Sequence, residues 1–283
     1  MIKEIQNLRS NLDIHIIKRK QLSIQFSLDG FSFCIFDLEL QEFIAYSAYT
    51  FNTRNQDANS LLEDIKKVFK QEDLLLDKYE KVLVVHVNNL SAFVPFPLFD
   101  EDNLETYIKF NNKIYNNDYF VYDSVMNQDM VSVFVPYVNV NNFLIDQYGS
   151  FEYKHYSSIL VENLLNDYAS KLATSFYVNV FNTHFEIIVS TAKKLVLYNT
   201  YTYNTPEDFI YYILFVMEQL KLDVEKVYVE VLGKINEESD LFTILYKYVR
   251  NVSVLVYKPK YSAVLDIDKT IQRENFILFN TID

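Results

Sequence analysis

One stretch of this sequence occurs twice, and the duplication constrains the fold more than any other feature. Residues 23–53 and 175–205 align without gaps at an offset of 152 residues and share eight identities in 31 positions, where average composition would give about two. The identical pairs are Ser23/Ser175, Phe33/Phe185, Ile35/Ile187, Tyr46/Tyr198, Tyr49/Tyr201, Thr50/Thr202, Asn52/Asn204 and Thr53/Thr205. Self-similarity over this length predicts a duplicated domain rather than a solenoid of short repeats.

Composition sets the class of protein. The 283 residues suffice for two domains of ordinary size, and half of them are hydrophobic, which predicts a packed core rather than disorder. A net charge of −12 disfavours nucleic-acid binding over a broad face, because an acidic surface repels phosphates. The basic cluster Lys18–Lys20 is interpreted as a solvated strand edge. Cys34 is the one cysteine, so an internal disulfide is excluded, and its alternating surroundings predict a small core residue.

Nothing in the sequence predicts a targeting or membrane-spanning segment. Residues 1–10 mix charged and apolar side chains and do not resemble a signal peptide. The longest apolar run, Phe209–Met217, has nine residues, against about 20 for a membrane span. We therefore expect a cytoplasmic protein without direct membrane insertion. The run is hydrophobic on every face, which predicts a helix buried between its sheet and the other domain. The alternative is that part of it is exposed and binds a partner or a second copy of the chain.

Glycine is scarce, and this excludes several chemistries. The chain has only three glycines, Gly30, Gly149 and Gly233. Loops that grip phosphate need glycine for positive φ and close backbone approach, so no Walker A, Rossmann or kinase-type loop can be written from these positions. The G-x-S-x-G nucleophile elbow and the common zinc motifs are missing too. The four histidines show no ligand spacing and are interpreted as structural, so we expect no catalytic residue and no metal site.

Each copy has the same predicted element order: three antiparallel strands, a helix, and a strand that can join the sheet in parallel through a right-handed crossover. The offset falls from 152 to 145 at the last strand, which suggests a second-copy connection shorter by two helical turns. A further helix and strand follow the second copy. The predicted strands are 20–27, 31–37, 42–51 and 81–87 in the first copy, and 174–181, 183–190, 194–203, 226–231 and 252–257 in the second. The predicted helices begin at 57–60 in the first copy and span 206–220 and 237–249 in the second.

The stretch between the copies predicts an inserted subdomain. It begins with the aromatic and proline-rich segment Phe93–Phe99. A helix opened by three acids follows, then strands 119–125 and 130–136 and helices 138–148 and 157–171. We expect a first domain over 1–155, with the insertion at about 93–150, and a second domain over 156–283.

A doubled unit of this kind resembles the actin-like ATPase superfamily, which includes actin, Hsp70, the sugar kinases and PilM. Together with the segment Phe93–Glu101, it makes the chain similar to a family of Bacteroidetes proteins with an actin-like fold and no assigned function. The resemblance implies an α/β fold of two actin-like, ribonuclease H-like domains, each a mixed five-stranded sheet flanked by helices.

The superfamily's motifs can be placed on this sequence. Each domain of the superfamily opens with a strand that ends Asp-x-Gly and supports a metal and the phosphates. At the offset of 152, the Asp position falls on Ser27 and Asn179, and the Gly position on Asp29 and Phe181. The resemblance therefore implies the fold and argues against the ATPase, so no nucleotide cofactor is expected.

If the alignment of the strands to the superfamily is shifted by a small register change, part of the Asp-x-Gly motif is retained. This shift would put Asp29 and Gly30 in the first turn, and Asn182 and Thr183, without an acid, in the second. The adenine-side motif keeps one of its two glycines, Gly233. We interpret Asp29-Gly30 and Asn182-Thr183 as plain hairpin turns.

Three functions stay open at this point. The first is a pseudo-ATPase scaffold or adaptor that binds a protein partner in its cleft or at a sheet edge, by analogy with PilM-like proteins. The second is a divergent ATPase or small-molecule kinase with relocated acids, Asp29 and Glu186. The third is a binder of another ligand in a cleft lined by Phe181. A homodimer is a further expectation.

Overall fold

The computed structural model describes residues 2–51, 57–110, 112–115, 118–263 and 267–282. Asn52 and Thr53, which belong to the duplicated pattern, lie outside the described residues. The strands are β1 (Lys3–Arg9), β2 (Lys20–Ser27), β3 (Gly30–Asp37), β4 (Glu42–Thr50), β5 (Lys81–His86), β6 (Ser91–Pro95), β7 (Val121–Ser124), β8 (Met130–Phe134), β9 (Glu152–His155), β10 (Thr174–Val180), β11 (His184–Thr191), β12 (Lys194–Thr202), β13 (Tyr228–Gly233), β14 (Asn251–Val254) and β15 (Ser262–Ala263). The helices are α1 (Ala58–Gln71), α2 (Leu104–Lys109), α3 (Val138–Tyr148), α4 (Tyr156–Asn163), α5 (Pro206–Gln219), α6 (Asp240–Tyr248) and α7 (Lys269–Glu274).

The two copies form two mixed sheets with the same strand order. The first sheet runs β1-β4-β3-β2-β5-β9 and the second runs β12-β11-β10-β13-β14. Five strands of the first sheet, β4-β3-β2-β5-β9, match the whole of the second, and β1 and β15 both add to β4. The duplicated fold of mixed sheets is confirmed, with two strands more on the first sheet than predicted.

The helices that follow the third strands show why the sequence folds the same way twice. Both α1 and α5 have 14 residues, and both begin with a reciprocal capping box, at Asp57 and at Thr205. Such a box satisfies amides that the first helical turn leaves without partners. Pro206 opens α5 as predicted. The apolar side of each helix lies on its own sheet and forms a separate core.

The strand pairing corrects the alignment of the two copies. Ser27 pairs with Gly30 across the first hairpin, whereas Val180 pairs with Phe185 across the second. The irregularity between β3 and β4 at Ile35 recurs between β11 and β12 at Val189. The first two strands therefore correspond at an offset of 154, and only the third strands correspond at 152. The reason is the connection after the hairpin, which has four residues in the first copy, 38–41, and two in the second, 192–193.

The predicted shortening of the second copy by two helical turns is wrong. The helices have equal lengths, and the difference lies in the connections on either side of them. Seven residues, 51–57, join β4 to α1, whereas three, 203–205, join β12 to α5. The strand after the helix runs 228–233, two residues later than predicted, so it corresponds to β5 at an offset of 147.

The end of the chain returns to the first sheet. β15 pairs with β4 in parallel, and Thr281 donates a hydrogen bond from its hydroxyl to Ser23 Oγ, at 2.7 Å. Phe279 packs its ring against Phe43 and Tyr46 at 5.0 and 5.4 Å. These segments join α4 and the facing sides of both sheets in one core. The domain limits at 155/156 stay a prediction.

The stretch between the copies contains a sheet of its own. Its order is β6-β8-β7, and β6 was missed from the sequence. Helix α3 has the predicted bounds, whereas the helix predicted over 157–171 is α4 followed by a five-residue π-helical turn.

Cys34 is buried in the core as expected, and burial raises the pKa of its thiol. Among the described residues, no helix is long and apolar enough to cross a bilayer.

The apolar run on α5 is not buried on every side. Phe209 and Ile213 are buried in the core of the second sheet, but Tyr211 is 62% exposed and Phe215 is 43% exposed. The prediction of a fully buried helix is therefore wrong. The structure instead has the alternative, a partly exposed helix, because α5 covers one face of its sheet and no described element fully covers the rings on its outer side.

Candidate functional site

The tips of the two duplicated hairpins face each other and are in contact. Pairing of Ser27 with Gly30 places the first turn at Leu28 and Asp29, so Gly30 is the first residue of β3 and not part of the turn as predicted. In the second hairpin the amide of Phe181 donates to the carbonyl of His184 at 2.9 Å, which leaves Asn182 and Thr183 as the turn. The prediction for the second turn is confirmed.

The Asp29 carboxylate is held by neighbouring side chains. The Ser27 hydroxyl donates to Asp29 Oδ1. Asn182 Nδ2, from the tip of the second hairpin, lies 3.4 Å from Asp29 Oδ2. The Asp29 carboxylate, which the sequence analysis assigned to the cleft, thus joins the tips of the two hairpins to each other.

A cavity of about 440 Å³ lies between the two hairpins. Six of the seven positions singled out from the sequence line it: Ser27, Asp29, Gly30, Asn179, Phe181 and Gly233. Other lining residues come from β2, β4, the segment after β13 and the end of α7, among them Gln25, Tyr49, Lys234 and Glu274. The sequence therefore located the residues of this cleft, although not their arrangement.

Phe181 fills part of the space between the hairpins. Its ring stacks on His184, with centroids 4.6 Å apart and planes 10° apart, and meets Tyr156 edge-on at 5.8 Å. At the corrected offset of 154, Phe181 corresponds to Ser27, and Asp29 corresponds to Thr183. The predicted equivalence of Asp29 with Phe181, and of Ser27 with Asn179, is therefore wrong, because it ignored the longer connection in the first copy.

Gly233 has a packing role that explains its presence. Its φ is +79°, and a Cβ at this position would lie 2.4 Å from the carbonyl oxygen of Val180 and 2.7 Å from Asn179 Oδ1. Only glycine allows this φ together with so close an approach of the two strands. The amide of Lys234 then donates to the same Val180 carbonyl at 2.7 Å. This glycine fixes the strand end against β10.

Glu186 lies in a buried network and not in the cleft. Its side chain is completely buried, accepts the Tyr156 hydroxyl at 2.8 Å and accepts Asn179 Nδ2 at 2.9 Å. The Tyr198 hydroxyl donates to Tyr156 in turn, at 3.2 Å. Burial, and then the charge of Glu186, raises the pKa of Tyr156 well above its ordinary value. Glu186 lines neither cavity of the cleft, so the structure does not bring it together with Asp29 as a pair of acids.

A second cavity, of about 570 Å³, opens on the other side of the hairpin tips. We call it the tip groove. Its apolar lining comes from Leu28, Phe51, Val87, Tyr137 and Phe181, and its polar lining includes Asn88, Asn89, Asn182, Thr183, His184, Thr200 and Thr202. Both copies contribute to it, and its volume is in the range of ordinary ligand pockets. Apart from the hairpin residues, this groove could not be predicted from the sequence, because its other residues come from elements far apart in the chain.

The two buried histidines, His86 and His155, make hydrogen bonds within the chain. His86 Nε2 lies 3.0 Å from Asn141 Oδ1, and its Nδ1 accepts the amide of Tyr137 at 3.2 Å. His155 Nε2 donates to the carbonyl of Asn88 at 3.1 Å. Burial lowers the pKa of each histidine to about 3, so both are neutral near pH 7. Among the residues that the structure describes, no group of three or more histidine, cysteine or acidic side chains is placed to hold a metal ion.

Comparison with protein families gives a match over most of the chain. Residues 9–252 match the family described as "Protein of unknown function (DUF3822)". The comparison with curated proteins finds no match.

Solved structures share the fold. A protein of Bacteroides thetaiotaomicron, described as having an actin-like ATPase fold and unknown function, superposes with a TM-score of 0.79 and 24% identity. That match covers 86% of this chain and 93% of the other. The PilM–PilN type IV pilus biogenesis complex gives a TM-score of 0.52 at 9% identity, covering 92% of this chain and 96% of that one. The ethanolamine utilization protein EutJ of Carboxydothermus hydrogenoformans gives 0.50 at 9% identity, covering 96% and 92%. The fold is the actin-like ATPase fold.

Proposed function

The chain belongs to the DUF3822 family, and we propose that it is a non-catalytic actin-like protein, a cytoplasmic scaffold or adaptor that holds a protein partner. The observation that carries the proposal is the contact between the hairpin tips. In the superfamily that the fold resembles, these tips clasp a metal and phosphates. Here Asp29 is bonded to Ser27 and approached by Asn182, and Phe181 takes up space between the hairpins.

The chemistry of the tips argues against a triphosphate. Asp29 would place negative charge beside it, with contacts only to the uncharged Ser27 and Asn182 side chains among the interactions of the described residues, and like charges repel each other. Phe181 offers no hydrogen bond to phosphate oxygens. Both hairpin turns lack glycine, so their amides are less free to approach an anion.

The tip groove supports a protein ligand. A concave surface with apolar walls and a few amide and hydroxyl groups suits an extended segment that inserts one or two apolar side chains and bonds through its backbone. One structural relative, PilM, was solved in complex with PilN, which makes a peptide partner a reasonable analogy for this chain.

A crosslinking experiment tests this proposal. We place p-benzoylphenylalanine at Thr183, which is exposed in the tip groove, in the full chain expressed in its native cells. The proposal predicts one prominent adduct with a protein partner. That adduct should be lost when Asn89→Arg blocks the groove. The same photoprobe at Leu172, which is 95% exposed near the opposite end of β10, is the matched control and should not give it. Equal adducts from Thr183 and Leu172 would contradict the proposal.

A small polar ligand in the 440 Å³ cavity is the second candidate. One observation favours it: Gln25 lines this cavity, and its buried Oε1 has no hydrogen-bond partner among the described residues. A ligand that donates a hydrogen bond there would satisfy it. Ordered density beside Gln25, in crystals of protein from its native source, would support this candidate over the first.

The divergent ATPase has less support. It needs Asp29 and Glu186 in one cleft, and Glu186 is enclosed by Tyr156 and Asn179 instead. Glu186→Gln in a protein with measurable ATP turnover would have to abolish that turnover for this alternative to stand.

A further inference from the structure

The outer edges of the two sheets differ in whether a further strand covers them. In the first sheet, β1 runs antiparallel to β4 and covers residues 45–50 of it. Third strands correspond at an offset of 152, so the same stretch of the second sheet is 197–202, in β12. Among the described residues, no strand pairs with β12 on that side. β12 is therefore an open edge at the position where the chain itself closes the other copy.

The backbone groups along this edge are not paired with any strand that the structure describes. The amide of Tyr203 donates to the carbonyl of Thr183, which fixes the alternation of the pairing with β11. By that alternation, Asn199 and Tyr201 bond to β11, and the backbone groups of Tyr198, Thr200 and Thr202 point outward. The Thr200 amide accordingly takes the Oδ1 atom of Asn199 as its acceptor, at 3.0 Å.

β12 lacks the features that protect edge strands. Natural edges are short, charged, or interrupted by proline. The outer strand of the first sheet, β1, carries Lys3, Glu4 and Arg9. The edges at the other ends, β9 and β14, have four residues each. β12 has nine residues, no proline and one charged side chain, Lys194, at its start.

We infer that β12 pairs antiparallel with β12 of a second copy of this chain, so that two five-stranded sheets become one of ten strands. The stretch available is 196–202, because Gln128 and Asp129 contact the chain at Lys193 and Lys194. A two-fold axis through its middle residue, Asn199, sets Tyr198 against Thr200 of the other copy, and both present outward backbone groups. The same axis separates the two Lys194 ammonium groups to opposite ends, whereas parallel pairing would set them side by side.

The apolar surface beside the edge favours a second copy over another occupant. Tyr212 of α5 stacks on Tyr201 of β12 at 4.7 Å, and Tyr211 and Phe215 continue this row of rings outward, with centroids 5.3 and 6.3 Å apart. A two-fold axis at the edge brings α5 of each copy to the same side of the joined sheet. The rings beside the edge, with Tyr212 on Tyr201, then lie on the same side of the seam in both copies, as the self-complementary surface of an isologous interface requires. A single extended peptide on the edge would leave them in water.

Sedimentation equilibrium on the full chain tests the inference. We expect a monomer–dimer equilibrium, with a dissociation constant below about 100 µM. Asn199→Lys places two ammonium groups opposite each other and should weaken the dimer at least tenfold. An equimolar mixture with Asn199→Glu should restore association as a mixed dimer. The matched control is Ser253→Lys, an exposed position on β14 at the far edge of the same sheet, which should change nothing.

A second variant separates pairing from folding. Thr200→Pro removes an amide that points away from β11, so the fold should persist by circular dichroism while the dimer is lost. A chain that stays monomeric at 1 mM, on the order of the highest useful concentration, would overturn the inference. So would a dimer that neither Asn199→Lys nor Thr200→Pro weakens. Finding the β12 edge occupied by a strand of a different protein would overturn it as well.

Discussion

The two copies of the duplicated unit have the same strand order and the same capped helix, but different surroundings. β4 of the first copy is buried along almost its whole length, whereas the equivalent β12 is half-exposed. The difference comes from segments outside the repeat: β1, β15 and the residues after α7 all pack on the first sheet. The repeated pattern therefore specifies the fold, and the unrepeated segments decide which surfaces stay available for binding.

The two hairpin tips at the cleft also differ between the copies. The first tip carries an acid, Asp29, and the second an aromatic ring, Phe181, two residues away from the equivalent position. Neither tip alone closes the cleft. Asn182 of the second tip contacts Asp29 of the first, and the 440 Å³ cavity stays beside this contact.

The fourth strands of the copies end in different residues, and the largest predicted effect lies there. Gly233 stands where the first copy has His86. Gly233→Ala should destabilise the protein by about 3 kcal/mol, because the added methyl meets the backbone of Val180 and the φ is unfavourable. Urea unfolding measures this. A change below about 1 kcal/mol would show that the strands do not approach as described.

Position 186 allows the two sheets to be compared at equivalent residues. At the offset of 154, Glu186 corresponds to Ser32. Glu186→Ala leaves the Tyr156 hydroxyl and the Asn179 amide without their acceptor and should cost about 2–3 kcal/mol. Ser32→Ala should cost less than about 1 kcal/mol. Glu186→Gln, which keeps one acceptor oxygen, should fall between them. Equal costs for Glu186→Ala and Ser32→Ala would contradict the buried hydrogen bonds assigned to Glu186.

Acid should weaken the first copy before the second. His86 and His155 both belong to the first sheet, and burial holds the pKa of each at about 3. Below pH 6.5 the unfolded chain binds protons that the folded histidines do not, so stability falls as pH falls. Burial also raises the pKa of Asp123 to about 6, and this group acts in the opposite direction between pH 6 and 4.

With two histidines against one aspartate, the net loss between pH 7 and pH 5 should be about 2–3 kcal/mol. Urea midpoints across that range measure the total. Amide exchange should show the first sheet losing more protection than the second. His86→Gln should reduce the pH dependence. A pH-independent midpoint would be inconsistent with two neutral buried histidines.

The smallest effect should be the same in both copies. Asp57→Ala and Thr205→Ala each remove the side chain that caps the 14-residue helix of its copy. Each should lower the melting temperature by about 2–4 °C. Calorimetry of the two variants side by side measures the difference. Shifts that differ by more than about twofold would show that the two helices are not equivalent elements.

Most elements of the repeat could be predicted from the sequence because their determinants are local. β2 and α3 have the predicted bounds, and the cap at Thr205 identified the start of α5. β1 was missed because its polar sequence forms a strand only by pairing with β4, a non-local contact. The sequence left the burial of α5 open between two alternatives, because nothing in the sequence of the helix shows what lies opposite its outer side.

The sequence predicted which residues lie at the cleft but not how they are arranged there. The positions that the superfamily comparison selected do meet at the hairpin tips, because the duplication placed both hairpins correctly. The register of the first two strands was shifted by two residues, since the strongest identities lie in the third strand and the loop before it differs in length. The buried carboxylate network of Glu186, Tyr156 and Tyr198 could not be predicted, because Tyr156 belongs to a helix outside the repeat.

The central claim is that the cleft between the hairpins is joined by side chains and does not clasp a nucleotide with its metal. Isothermal calorimetry of the full chain with ATP and Mg²⁺ tests it most directly. The account predicts no binding tighter than about 100 µM and no hydrolysis in the same cell. Tight, magnesium-dependent binding accompanied by release of phosphate would contradict it.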